Sequence, residues 1–182
     1  MPVAPPIPAR PPLADVTALL AYQGPAAALV AGLKVRHNRA AQRWLAEGLA
    51  LLVPAGTSLI TWAPTSRARV AARGVDHARL LAEAVGRACG IRCHGTLLRQ
   101  PGPPQTGRSR AERLADGPRF AARYDLSSHA VVIIDDVTTT GATLAAAGRA
   151  VVAAGARTVA GLAAAATPPP ASPTGPPGRL GP

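Results

Sequence analysis

At 182 residues and 18.4 kDa the chain has the length for one domain around a single core. Hydrophobic residues make up 48% and aromatics only 3%, so that core must be built from Ala, Val and Leu. The net charge of +11 favours anionic partners, yet nineteen arginines beside one lysine, Lys34, fit a coding bias toward Ala, Arg, Gly and Pro equally well.

Two cysteines, Cys89 and Cys93, exclude a disulfide framework and a four-cysteine zinc site, and with His94 they offer too few metal ligands. Residues 1–12 hold six prolines and read as a disordered Pro-rich tail with no secretory signal. Leu13 to Ala21, Pro25 to Val35 and Asn38 to Val53 have helix-compatible spacing, with Asn38 a candidate N-cap and Pro25 a first-turn proline. Ser58 to Ala63 is a β-rich run ended by Pro64. Val75 to Ala88 is an amphipathic helix stopped by Gly90. Thr96 to Leu98 is a short strand, and residues 101–118 form a long loop of the kind that is usually functional.

The last third is plainest. Ala130 to Ile134 is a continuous apolar run, suited to a strand buried on both faces of a parallel sheet. A helix from Ala142 to Ala154, closed by Gly155, leads to a second apolar strand over Thr158 to Ala166. Arg149, Arg157 and the glycines keep this stretch from spanning a membrane, so a cytoplasmic protein is expected. The predicted architecture is α/β, a doubly wound and mostly parallel sheet with extra N-terminal helices. Its domain covers 13–166, and 167–182 forms a second disordered Pro/Gly-rich tail.

Asp135 and Asp136 follow the buried strand directly, at the carboxyl end where doubly wound folds bind ligands. Acids there are costly without partners. Thr138, Thr139, Thr140, Gly141, Ala142 and Thr143 then open a helix, offering hydroxyls, free N–H groups and a favourable dipole to a phosphate. Carboxylates for vicinal hydroxyls beside a phosphate cradle describe a site for a phosphorylated sugar. The P-loop, G-x-G-x-x-G, G-x-S-x-G and H-E-x-x-H patterns are absent; His37, His77 and His129 have no recognisable partners, and Trp44 and Trp62 read as packing residues.

Val131 to Thr143 resembles the phosphoribosyl pyrophosphate signature of type I phosphoribosyltransferases. Tyr22-Gln-Gly-Pro25, Leu33-Lys34, Arg73-Gly74, Pro103-Pro-Gln105 and Ser109 to Arg113 narrow the resemblance to the ComF family, over about Tyr22 to Ala166. The resemblance implies that Asp135 and Asp136 hold the ribose hydroxyls and that residues 138–143 wrap the 5′-phosphate. It also implies that Thr65, Ser66, Arg67, Arg69 and Arg73 bind pyrophosphate. Gln105 to Arg113 becomes a mobile loop, with Arg113 catalytic beside the two aspartates. Mg²⁺ is expected to accompany phosphoribosyl pyrophosphate without direct protein ligation. Pyrophosphate leaves C1, and a nitrogenous acceptor attacks the oxocarbenium-like centre. The alternative is a non-catalytic competence accessory that binds a phosphoribosyl ligand or single-stranded DNA; a homodimer fits either.

The chain departs from the family in four places. No paired-cysteine zinc element precedes Tyr22, Gly74-Val-Asp-His77 replaces Gly-Phe-Asn-Gln, and Asp116 stands for an asparagine after the mobile loop. Thr139 occupies the position of the carboxylate of 6-oxopurine enzymes, which argues against hypoxanthine or guanine as acceptor.

Overall fold

The computed structural model describes residues 4–7, 10–33, 38–101 and 118–168. Lys34, His37, the 102–117 segment with Gln105, Arg113 and Asp116, and residues 169–182 lie outside the described residues, as does the side chain of Arg73.

The apolar run after Ala130 becomes the central strand β5, Ala130–Thr138; the strands β1–β4 take the numbers before it in chain order. Val132 and Ile134 pack into one hydrophobic cluster and Val131 and Ile133 into another, as the two-residue period of a strand requires. On one side β5 pairs in parallel with β2, Leu59–Trp62, and on the other with β6, Thr158–Ala166. Strand β1, Val16–Ala21, completes a four-stranded parallel sheet in the order β1-β6-β5-β2. This is the doubly wound α/β architecture expected.

Helices cover both faces. α1 (Gly24–Gly32), α2 (Arg39–Ala50) and α4 (His77–Cys89) bury Val30, Leu45, Leu49, Leu81 and Val85 against Val132 and Ile134. α5, Ala142–Ala153, lays Leu144, Ala147 and Val151 against Val131 and Ile133. Asn38 caps α2 through a 2.9 Å bond from the Ala41 N–H, as its position suggested. Gly90, in the left-handed region, ends α4.

Two elements had no sequence counterpart. α3, Arg67–Arg73, follows the β2 exit turn and carries three arginines with no apolar stripe to announce it. β4, Phe120–Ala122, pairs antiparallel with β3, Leu97–Arg99, which lies one residue beyond the expected strand. The segment joining α4 to β3 runs beside β2, where Ile60 N–H bonds Arg92 O and His94 N–H bonds Ile60 O.

The start of the chain corrects one expectation. Leu13 to Ala21 is not a helix: Val16–Ala21 is a strand, and the extra N-terminal helices follow it. An apolar run this short fits either state by spacing, and the ladder to Gly161–Ala166 decides it. Ile7 packs on the α5-side cluster, and Leu13, the first residue of the expected domain, is buried and donates its N–H to Arg10 O.

Candidate functional site

The ladder of β5 continues past Ile134, so both aspartates lie inside the strand. Asp135 sits opposite Ala163 of β6 and is buried; Asp136 is half-buried. The Asp135 carboxyl accepts the Asp136 N–H at 2.9 Å, and the Asp136 carboxyl accepts the Val137 N–H at 2.8 Å. Burial pushes the Asp135 carboxyl well above the usual carboxylate range, reinforced by the charge and side-chain hydrogen bond of Asp136 and by the charge of Asp76. No cationic side chain forms an ion pair with either acid among the described residues.

The Thr138–Thr143 turn follows. Buried Thr138 accepts the Gly141 N–H on its Oγ1 at 3.1 Å, which folds the turn back on the strand. Gly141 has φ 71°, a conformation that costs a side-chain-bearing residue about 1 kcal/mol or more, and it stands as the N-cap of α5. With no side-chain cap, the first N–H groups of this twelve-residue helix are left for solvent or a ligand. Thr139, Thr140 and Ala142 are exposed around them and Thr143 is half-buried.

A residue from the far end of the sequence joins this turn. A Cβ placed on Gly141 would lie 3.5 Å from Ile7 Cγ2 and 3.8 Å from Arg10 Cδ. The exposed Arg10 thus lies with its aliphatic stem beside the turn. The sequence signal was a single arginine among six prolines, too little to find it.

Across β5 lies the second group. The turn after β2 carries Thr65 and Ser66, whose Oγ caps α3 by accepting the Arg69 N–H at 3.4 Å. The Thr65 N–H donates to Asp76 Oδ2 at 3.0 Å. Arg99 on β3 lies over the Phe120 ring at 5.7 Å and donates to Pro64 O at 3.4 Å. Burial lowers the Arg99 pKa, and the like charge of Arg69 adds to it, while Asp135 and Asp76 oppose it. Arg99 therefore feels the β2 turn and the β5 acids together, which neither motif foretold.

A cavity of about 1200 Å³ opens here. Its walls include Thr65, Ser66 and Arg67 from the expected pyrophosphate group, with Arg79, Arg99 and Arg123 added by the fold. Arg69 is exposed on α3 and does not line it. Nor does the Asp135–Thr143 segment, so the expected sugar-binding residues lie outside this cavity, although the charge of Asp135 reaches Arg99 on its wall.

Among the described residues no group of three or more His, Cys, Asp or Glu is placed to hold a metal ion, and no helix is long and apolar enough to cross a membrane.

No family model and no curated protein matches the sequence. Among solved structures, the chain is similar to the allosteric regulatory enzyme of purine biosynthesis, at 20% identity and a TM-score of 0.48 over 68% of this chain. It is likewise similar to glutamine phosphoribosylpyrophosphate amidotransferase from B. subtilis complexed with ADP and GMP, at 20% identity and 0.48 over 68% of this chain. This chain spans about a quarter of the length of each, 25% and 26%. The third similar structure is the purine phosphoribosyltransferase from Pyrococcus horikoshii Ot3, at 20% identity and 0.39, covering 76% of this chain and 83% of that one.

Proposed function

We propose that the protein binds phosphoribosyl pyrophosphate with Mg²⁺ and transfers the phosphoribosyl group to a nitrogenous acceptor. The observation that carries this reading is one continuous path: buried Asp135, half-buried Asp136, the Thr138-anchored turn, and the uncapped N-terminus of α5. A carboxyl held at Asp135 without a cationic partner is stabilised as an anion by hydroxyl donors, and a ribose diol supplies two of them. The nine residues Asp135–Thr143 lead from the acids to the uncapped N-terminus of α5, which supports a phosphate site at the other end of the same sugar.

The division of labour follows from position. Asp135 and Asp136 orient the pentose, and Thr138 to Thr143 with Arg10 fix its monoester. Thr65, Ser66 and Arg67, with Arg99, Arg69 and Arg73, take the departing pyrophosphate. Arg113 is proposed to close over the reacting centre from the 105–113 loop. Bound Mg²⁺ supplies charge neutralisation to the leaving group. Residual charge on the departing oxygens is met by guanidiniums already in place, which costs no reorganisation during reaction.

Calorimetry tests the reading. Phosphoribosyl pyrophosphate with Mg²⁺ should bind the native protein in the micromolar range, and Asp135→Asn/Asp136→Asn should abolish it. Release of pyrophosphate against a panel of nitrogenous bases then separates transfer from binding alone. A folded protein that neither binds the donor nor releases pyrophosphate overturns the proposal. The ComF-type alternative, an accessory that binds single-stranded DNA, draws support from the charge of +11 and predicts an affinity that collapses as salt rises.

A further inference from the structure

The β2 exit turn and the start of α4 close on one side chain. Asp76 is the N-cap of α4 and accepts the Arg79 N–H on Oδ1 at 3.4 Å. Its other oxygen, Oδ2, accepts the Thr65 N–H at 3.0 Å, across eleven residues. The second contact is no part of a helix cap. It seats a carboxylate on a backbone amide of the turn that walls the cavity.

The charges around that cavity are uneven. Arg67, Arg79, Arg99 and Arg123 face Asp76 and Glu83. Glu83 is engaged by Arg79 at 2.7 Å. Arg67, Arg99 and Arg123 form no ion pair among the described residues, and neither does Asp76. Three guanidiniums without a carboxylate partner and an amide are the donors that a phosphoryl group takes. One carboxylate already uses the amide. The cavity, at about 1200 Å³, is far larger than that carboxylate fills.

We propose that Asp76 is a built-in competitor for the anion subsite of this cavity: it holds the Thr65 amide in the free protein and yields it to a phosphoryl oxygen of a pyrophosphate-bearing ligand. Asp76 thereby sets how tightly the cavity takes free anion, and it is a positioning residue, not a catalytic one. The inference rests on reading the cavity as the pyrophosphate subsite of the proposed function.

A helix cap alone predicts something different. Asn and Ser cap helices about as well as Asp, so Asp76→Asn and Asp76→Ser keep the start of α4 while removing the charge. A cap remote from the bound anion would leave anion affinity unmoved in both. A competitor, once neutral, removes a like charge a few ångströms from the bound anion, an effect on the order of tenfold in affinity.

Calorimetry on the full chain with inorganic pyrophosphate in EDTA-containing buffer reads this directly, with ribose 5-phosphate as the second probe. Both variants should bind pyrophosphate on the order of tenfold tighter than the native protein, with ribose 5-phosphate affinity within about twofold. Unchanged or weaker pyrophosphate binding in whichever variants fold overturns the inference, as does an equal shift for both probes. Tightened pyrophosphate binding with no ribose 5-phosphate binding would support the competitor and sink the phosphoribosyl reading. Ribose 5-phosphate binding with an unmoved pyrophosphate affinity would do the reverse.

Discussion

Arg10 and Gly141 lie side by side although 131 positions separate them, with a Cβ added to the glycine falling 3.8 Å from the arginine Cδ. The contact puts an exposed cationic side chain beside the turn proposed to hold the phosphate. Arg10→Ala should therefore weaken ribose 5-phosphate binding by roughly three- to tenfold, the scale of one charge-assisted hydrogen bond partly exposed to water. Thermal stability should barely change, because the side chain is exposed. Calorimetry beside a melting curve checks both halves.

Gly141→Ala attacks the same turn from within. Its φ of 71° strains any Cβ, at roughly 1–2 kcal/mol, while Ile7 at 3.5 Å leaves room for the methyl, so the backbone carries the whole cost. A melting temperature lower by several degrees is expected, together with a larger loss of phosphate affinity than Arg10→Ala gives.

Thr138→Val keeps the shape of the buried side chain and removes the acceptor of the Gly141 N–H. The orphaned amide should cost about 1–2 kcal/mol of stability. Denaturant titration would show a lower midpoint at unchanged slope, and an unchanged midpoint would show that the turn does not depend on this bond.

Asp135 makes the stability of the free protein pH-dependent. Its folded carboxyl titrates well above the usual carboxylate range, so the folded state holds a proton that the unfolded chain releases at lower pH. Stability is then highest below the unfolded carboxylate value and falls as pH rises toward the folded one. Asp135→Asn should raise the melting temperature at pH 7 by a few degrees, equivalent to about 1–2 kcal/mol, and the gain should vanish in acid. Sugar binding should be lost in the same variant.

The parts of the fold that were legible are those with a strong local pattern. Ala130 to Ile134 is too apolar and too β-branched to be anything but a buried strand, and Asn38, Pro25 and Gly90 mark helix ends by capping chemistry alone. Leu13 to Ala21 misled because Leu and Ala satisfy both periods, and only Gly161 to Ala166, far along the chain, select the strand. β4 has three residues and borrows its identity from β3. The candidate site divides in the same way. The acids and threonines are contiguous in sequence, whereas Arg10, Asp76 and Arg99 reach their places only through packing.

Strand β6 ends in Ala163, Ala164, Ala165 and Ala166, none more than 1% exposed. Methyl groups have no rotamers to lose and nothing to donate, so this flank of the sheet is inert as well as stiff. Asp135, opposite Ala163, can find no relief from its ladder neighbour. On the proposed reading a ligand hydroxyl quiets the carboxylate, and the poverty of one strand is what leaves that task to a guest.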